Sequence, residues 1–134
     1  MAALEELDEQ SMSAELENGW TMKDVMAHVA MWDEMVLPDL IRAARGHHSS
    51  LDAWDHESFT DQWNQISLAL RRHFPLEQVL SELAESRQAI LGFLDSPPEE
   101  RLTSGPIPVA CAIQAGHDRE HAAQIRAWRE RAGV

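Results

Sequence analysis

The chain of 134 residues carries 11 basic against 23 acidic side chains, a formal net charge of −12. That balance argues against nucleic acid and anionic membrane surfaces as partners, because both need a basic footprint. The length suits a single domain, residues 1–134. No apolar run approaches the about 18–20 residues of a membrane span, and no signal-peptide pattern opens the chain.

The pattern is helical throughout, with no alternating β-branched runs. Residues 2–17 place Leu4, Leu7, Met12 and Leu16 at helical spacing and predict a short first helix, ended by Asn18-Gly19. Thr21 opens a second helix, and Asp24 three residues on completes a capping-box pattern. That helix runs to about Arg45, where Gly46 stops it. Val25, Val29, Trp32, Val36, Leu40 and Ile41 form its inward face, and His28 shares that face. Pro38 predicts a kink, or an end to the first part of the helix. Residues 46–53 form a loop with His47 and His48 exposed.

A third helix spans about Trp54 to Phe74, with Phe59, Trp63, Ile66 and Leu70 inward. His56 falls in its first turn and His73 in its last, where a cation suits the helix dipole. Pro75 is the first-turn proline of a fourth helix ending near Leu94. The stripe of this helix is Leu76, Val79 or Leu80, Leu83, Ile90 and Leu94, with Arg87 among them. Asp95 to Pro108 forms a long connection with a short turn at Pro97–Leu102, capped by Ser96 and Glu99. The last helix spans about Val109 to Arg131. Its stripe is Val109, Ile113, His117, His121, Gln124 or Ile125, and Trp128, which points both histidines inward. Amphipathic helices joined by short loops predict an all-α fold, an antiparallel four-helix bundle with a shortened first helix.

His117 and His121, four apart, advance about 400° round a helix and so share one face. One rigid element can thus give a divalent metal two nitrogen ligands; an ordinary pair of hydrogen-bonded core histidines is the competing account. His28, inward on another helix, is the third candidate ligand. Asp118 loosely matches the glutamate of H-E-xx-H metalloproteases, but it lies about 100° from His117 and a downstream ligand is missing, which rejects a protease. It remains a candidate general base. Gln124 continues the histidine face and can bond a ligand or substrate. Asp24, four before His28, can orient that ring or serve only as a cap. Trp20, Trp32 and Trp128 are expected to pack the core. Cys111, the single cysteine, excludes an internal disulfide, packs between helices, and fits a reducing cytoplasm.

Three stretches resemble the DinB/YfiT-like superfamily, which includes the N-terminal domain of mycothiol-dependent maleylpyruvate isomerase. One is Asn18 to Ala30, similar to a GW-S/T-xx-D-xxx-H segment. Another is Leu76 to Leu94 followed by Ser96 to Leu102, similar to the penultimate helix and its acidic turn. The third is His117 to Trp128, similar to the closing H-xxx-H helix. The resemblance implies a divalent metal, zinc or nickel, held by His28, His117 and His121 with a metal-bound water at an open position. It also implies a small-molecule substrate, handled by a thiol-dependent S-transferase or isomerase using a low-molecular-weight thiol, or by a hydrolase. A non-catalytic metal-binding bundle, or one that sequesters a small ligand or toxin, is the alternative. The superfamily's first helix is long, whereas few residues precede Asn18 here. Either the gene start is misplaced, or the bundle is completed by a partner chain; the second alternative predicts a homodimer in which the partner covers the groove left beside the short helix.

Overall fold

A computed structural model describes residues 7–16, 18–48, 50, 57–96, 103 and 105–134. They form five helices: α1 (Glu9–Met12), α2 (Met22–Ala44), α3 (Glu57–Arg71), α4 (Leu76–Leu94) and α5 (Pro106–Ala132). Among the described residues there is no strand beyond an isolated antiparallel bridge between Glu15 and Thr21. No described helix is long and apolar enough to cross a membrane. Leu4, Trp54, His56 and the expected turn at Pro97–Leu102 lie outside the described residues, as does most of the loop at 49–53.

Of the expected helix over 2–17, residues 2–6 and 17 lie outside the described residues, and among the described ones only Glu9–Met12 is helical. Asp8 accepts a hydrogen bond from the Ser11 amide at 2.7 Å and so caps a helix that begins at Glu9. Helix α1 ends after one turn, and Leu16 N–H donates to the Trp20 carbonyl at 2.7 Å. That hairpin-like return needs a left-handed residue at its tip, which Gly19 provides at φ +79°. Met12 and Leu16 are nonetheless buried.

Helix α2 is the element on which the others pack: α4 most extensively, then α5, α3 and α1. Its capping box is complete, with Thr21 Oγ1 accepting from Asp24 N–H at 3.1 Å and Asp24 Oδ2 accepting from Thr21 N–H at 3.0 Å. The helix continues through Pro38 to Ala44 instead of ending there, and Gly46 follows at φ +74°.

Two apolar clusters stack along α2. Met22, Val25, Met26, Val29 and Ala30 meet Val79 and Leu83 of α4 and Ile125 of α5. Further along, Val36, Leu40 and Ala44 meet Ile90 of α4 and Ile107 and Ala110 of α5. The order of these partners makes α4 parallel to α2 and α5 antiparallel. The α3 contacts run the opposite way too: Trp32 Nε1 donates to Asn64 at 2.9 Å, while Lys23, nine residues earlier, reaches the carbonyls of Arg72 and Phe74 at 2.9 and 3.0 Å.

Two inward stripes are corrected. On α3, Phe59, Ile66 and Leu70 are 40%, 53% and 65% exposed, while Ser67 and Leu68 are buried. The face turned to α2 is mixed, and its polar groups find hydrogen-bonding partners on α2. Trp63 Nε1 contacts Met31 Sδ, Asn64 receives Trp32, and Arg71 pairs with Glu34 at 2.7 Å. On α5, Val109 and Ile113 are 60% and 65% exposed, and Ile107, Ala110, His121 and Ile125 are the buried set. The helix also starts earlier than expected, at Pro106. Prolines in a first turn cost no hydrogen bond, since those amides have no partner within the helix.

Candidate metal centre

Helix α2 carries His28 just past its capped first turn, and α5 carries His117 and His121 one turn apart. The opposed directions of these helices bring the three side chains to one height. His28 Nε2 lies 2.7 Å from His117 Nε2, and His121 Nε2 lies 3.1 Å from the same atom. All three offer ligand atoms within 4.8 Å of one another. His28 and His121 are buried and His117 is half-buried.

The electrostatics favour neutral rings. Burial, then the neighbouring imidazoles, pushes His28 from its ordinary 6.5 down to about 3. Burial and then His121 lower His117 to about 4, against weaker opposing pulls from Asp118 and Glu120. A histidine must be deprotonated to bind a metal, so this environment holds His28 and His117 ready as ligands near neutral pH. The Nδ1 atoms of His28 and His117 are buried with no hydrogen-bond partner among the described residues. His121 Nδ1 lies 2.9 Å from Gln124 Oε1. An amide oxygen can only accept, so this contact puts the His121 proton on Nδ1 and leaves Nε2 as a lone pair aimed at the cluster. Three converging nitrogen donors with that tautomer fit a divalent transition metal.

Aromatic rings wall His28. The Trp20 ring stands edge-on at 4.9 Å and Trp32 at 6.3 Å between centroids. A cavity of about 260 Å³ is lined by Leu16, Asn18, Gln124, Ala127 and Arg131, and Gln124, which contacts His121, links it to the cluster. A larger one, about 550 Å³, lies around Leu37, Pro38 and Ser86, and none of the three histidines lines it.

Of the other candidates from the sequence, Gln124 joins the cluster through His121. Asp24 stays in its capping box, with Arg72 at 3.7 Å, and does not reach the ring of His28. Asp118 points to α4, where Arg87 grips it with two bonds of 2.7 and 3.1 Å. Sequence reasoning missed Arg87, Asp33 and Gln114. Arg87 Nε forms an ion pair with Asp33 Oδ2 at 2.9 Å, and Gln114 donates to Asp33 Oδ1 at 2.7 Å. The available signal was an arginine inside the apolar stripe of α4, between Leu83 and Ile90.

No curated protein and no solved structure matches the chain. The family described as "Mycothiol maleylpyruvate isomerase N-terminal domain" matches residues 1–110, a span that includes His28 and stops short of His117 and His121. With that match over most of its length, the chain belongs to the mycothiol maleylpyruvate isomerase N-terminal domain family, within the DinB-like superfamily.

Proposed function

We propose that this DinB-like four-helix-bundle protein binds one divalent metal, zinc or nickel, through His28, His117 and His121. On this reading it acts on a small molecule by thiol-dependent transfer or isomerisation, with hydrolysis as the other reaction open to the same site. The observation that carries the proposal is the convergence of three imidazole Nε2 atoms from two helices. A divalent cation held by His28, His117 and His121 would supply Lewis acidity, which would lower the pKa of a coordinated water toward about 7 and favour the thiolate form of a coordinated thiol.

The protein's own part is positional. Gln124 fixes the tautomer and the rotation of His121. Trp20 and Trp32 shield the His28 ring from water, which strengthens electrostatic interactions there. Both oxygens of the Asp118 carboxylate are already engaged by Arg87. That weakens a hydrolytic mechanism with a carboxylate base and favours one in which the nucleophile arrives as a thiol. The family description, which names a mycothiol maleylpyruvate isomerase, supports the same choice.

Elemental analysis of tag-free protein, purified without chelator, tests the site. The expectation is one equivalent of metal, with His117→Ala losing most of it. Equal metal content in the variant and the parent would remove the ligand assignment. Cobalt-loaded protein should then develop a sulfur-to-cobalt charge-transfer band when a small thiol is added. A spectrum indifferent to thiol would leave hydrolysis as the reaction.

A further inference from the structure

Between the two apolar clusters the helices carry a polar layer. Asp33 of α2 is 0% exposed, and it meets Arg87 of α4 and Gln114 of α5. Arg87 continues to Asp118 of α5 with a two-bond grip. Three helices are therefore joined at one height by a single guanidinium, whose planar fork suits carboxylates on two sides.

The attachment points on α5 bracket one histidine. Gln114 lies three residues before His117, and Asp118 directly follows it. The apolar contacts of α5 with α2 and α4 are sparse near this point. Ile107 and Ala110 lie at one end and Ile125 at the other, and Ile113 faces solvent. Small, non-directional contacts resist helix rotation weakly, whereas hydrogen bonds are directional. A rotation of about 10° at a side-chain radius of about 5–6 Å moves an atom by about 1 Å. Metal–ligand distances tolerate only about 0.2 Å.

We propose that Arg87 is the positioning residue of the histidine site: by holding Asp118 and Asp33 together it sets the rotation of α5, and thereby brings His117 and His121 to His28. The proposal rests on the metal reading for its role, though the clamp itself does not.

The test uses the full-length chain with three changes. Asp118→Ala removes the Arg87 attachment of α5, leaving Gln114 bonded to Asp33 and the buried Asp33 paired with Arg87. Arg87→Met with Asp33→Asn breaks the clamp from the other side without stranding a buried carboxylate. Glu120→Ala removes an equal charge, also one residue from a ligand, without touching the clamp. Cobalt(II) affinity by chelator competition should fall about 10–100-fold in the first two proteins and stay within about threefold in the third. In metal-free protein, the imidazole ¹⁵N shifts of His28 and His117 should change in the first two only, because their 2.7 Å contact is lost. Unchanged affinity and shifts in Asp118→Ala would overturn the proposal. So would equal losses in Asp118→Ala and Glu120→Ala, which would reduce the effect to charge. If the parent protein bound no cobalt, the metal reading would fail, and the imidazole shifts would still decide whether the clamp positions the rings.

Discussion

Acidifying the metal-free protein should destabilise it through the histidine cluster. His28 and His117 have folded pKa values of about 3 and about 4 against an ordinary 6.5, chiefly because they are buried. The unfolded chain takes up these protons near pH 6.5, while the folded chain declines them until about pH 4. Stability from each neutral ring is therefore fully present above pH 6.5 and is lost as pH falls toward the folded value. The slope inside that window is about 1.4 kcal/mol per pH unit for each histidine. Between pH 7 and pH 5 the loss is about 2 kcal/mol apiece, or about 4 kcal/mol for the pair. Urea denaturation of chelator-treated protein at the two pH values measures it. Asp33 and Glu34, raised by burial, contribute with the opposite sign. The histidine part is therefore the difference between the parent and a His28→Gln/His117→Gln protein. If the two lose the same stability between pH 7 and pH 5, the rings are not held neutral by their surroundings and the electrostatic account of the cluster is wrong.

Two further predictions concern the site and the packing. Gln124→Ala should weaken zinc binding about 10–100-fold in calorimetry, because His121 loses the partner of its second ring nitrogen; binding within twofold of the parent would contradict that role. Met26→Ala, at a residue with 0% exposure, should cost about 2–5 kcal/mol in urea denaturation. Ile113→Ala, on the solvent side of α5, should change stability by about 0.5 kcal/mol or less. Equal losses at the two positions would mean that the rotation of α5 described here is wrong.

What the sequence determined was local. Thr21 and Asp24 lie three apart and can only satisfy each other's amides at a helix start, so the beginning of α2 was legible, as was the glycine turn before it. Two histidines four apart on a helix must share a face. His28 could be placed on an inward face because its neighbours Val25, Val29 and Trp32 are apolar and buried. Tertiary structure decided the rest, since periodicity defines a stripe without naming its neighbour. Phe59, Ile66 and Leu70 form a clean apolar stripe on α3, yet the face of α3 turned to α2 is mixed, and its polar groups find hydrogen-bonding partners there. Val109 and Ile113 lie on the outer side of α5 because Gln114 and Asp118 bind partners on two other helices. Those partners, Asp33 and Arg87, are distant in sequence, and no local rule pairs them with α5. The same long-range bonds bring the histidine pair against His28, so the ligand types were visible in the chain, while their meeting depends on how α5 is turned.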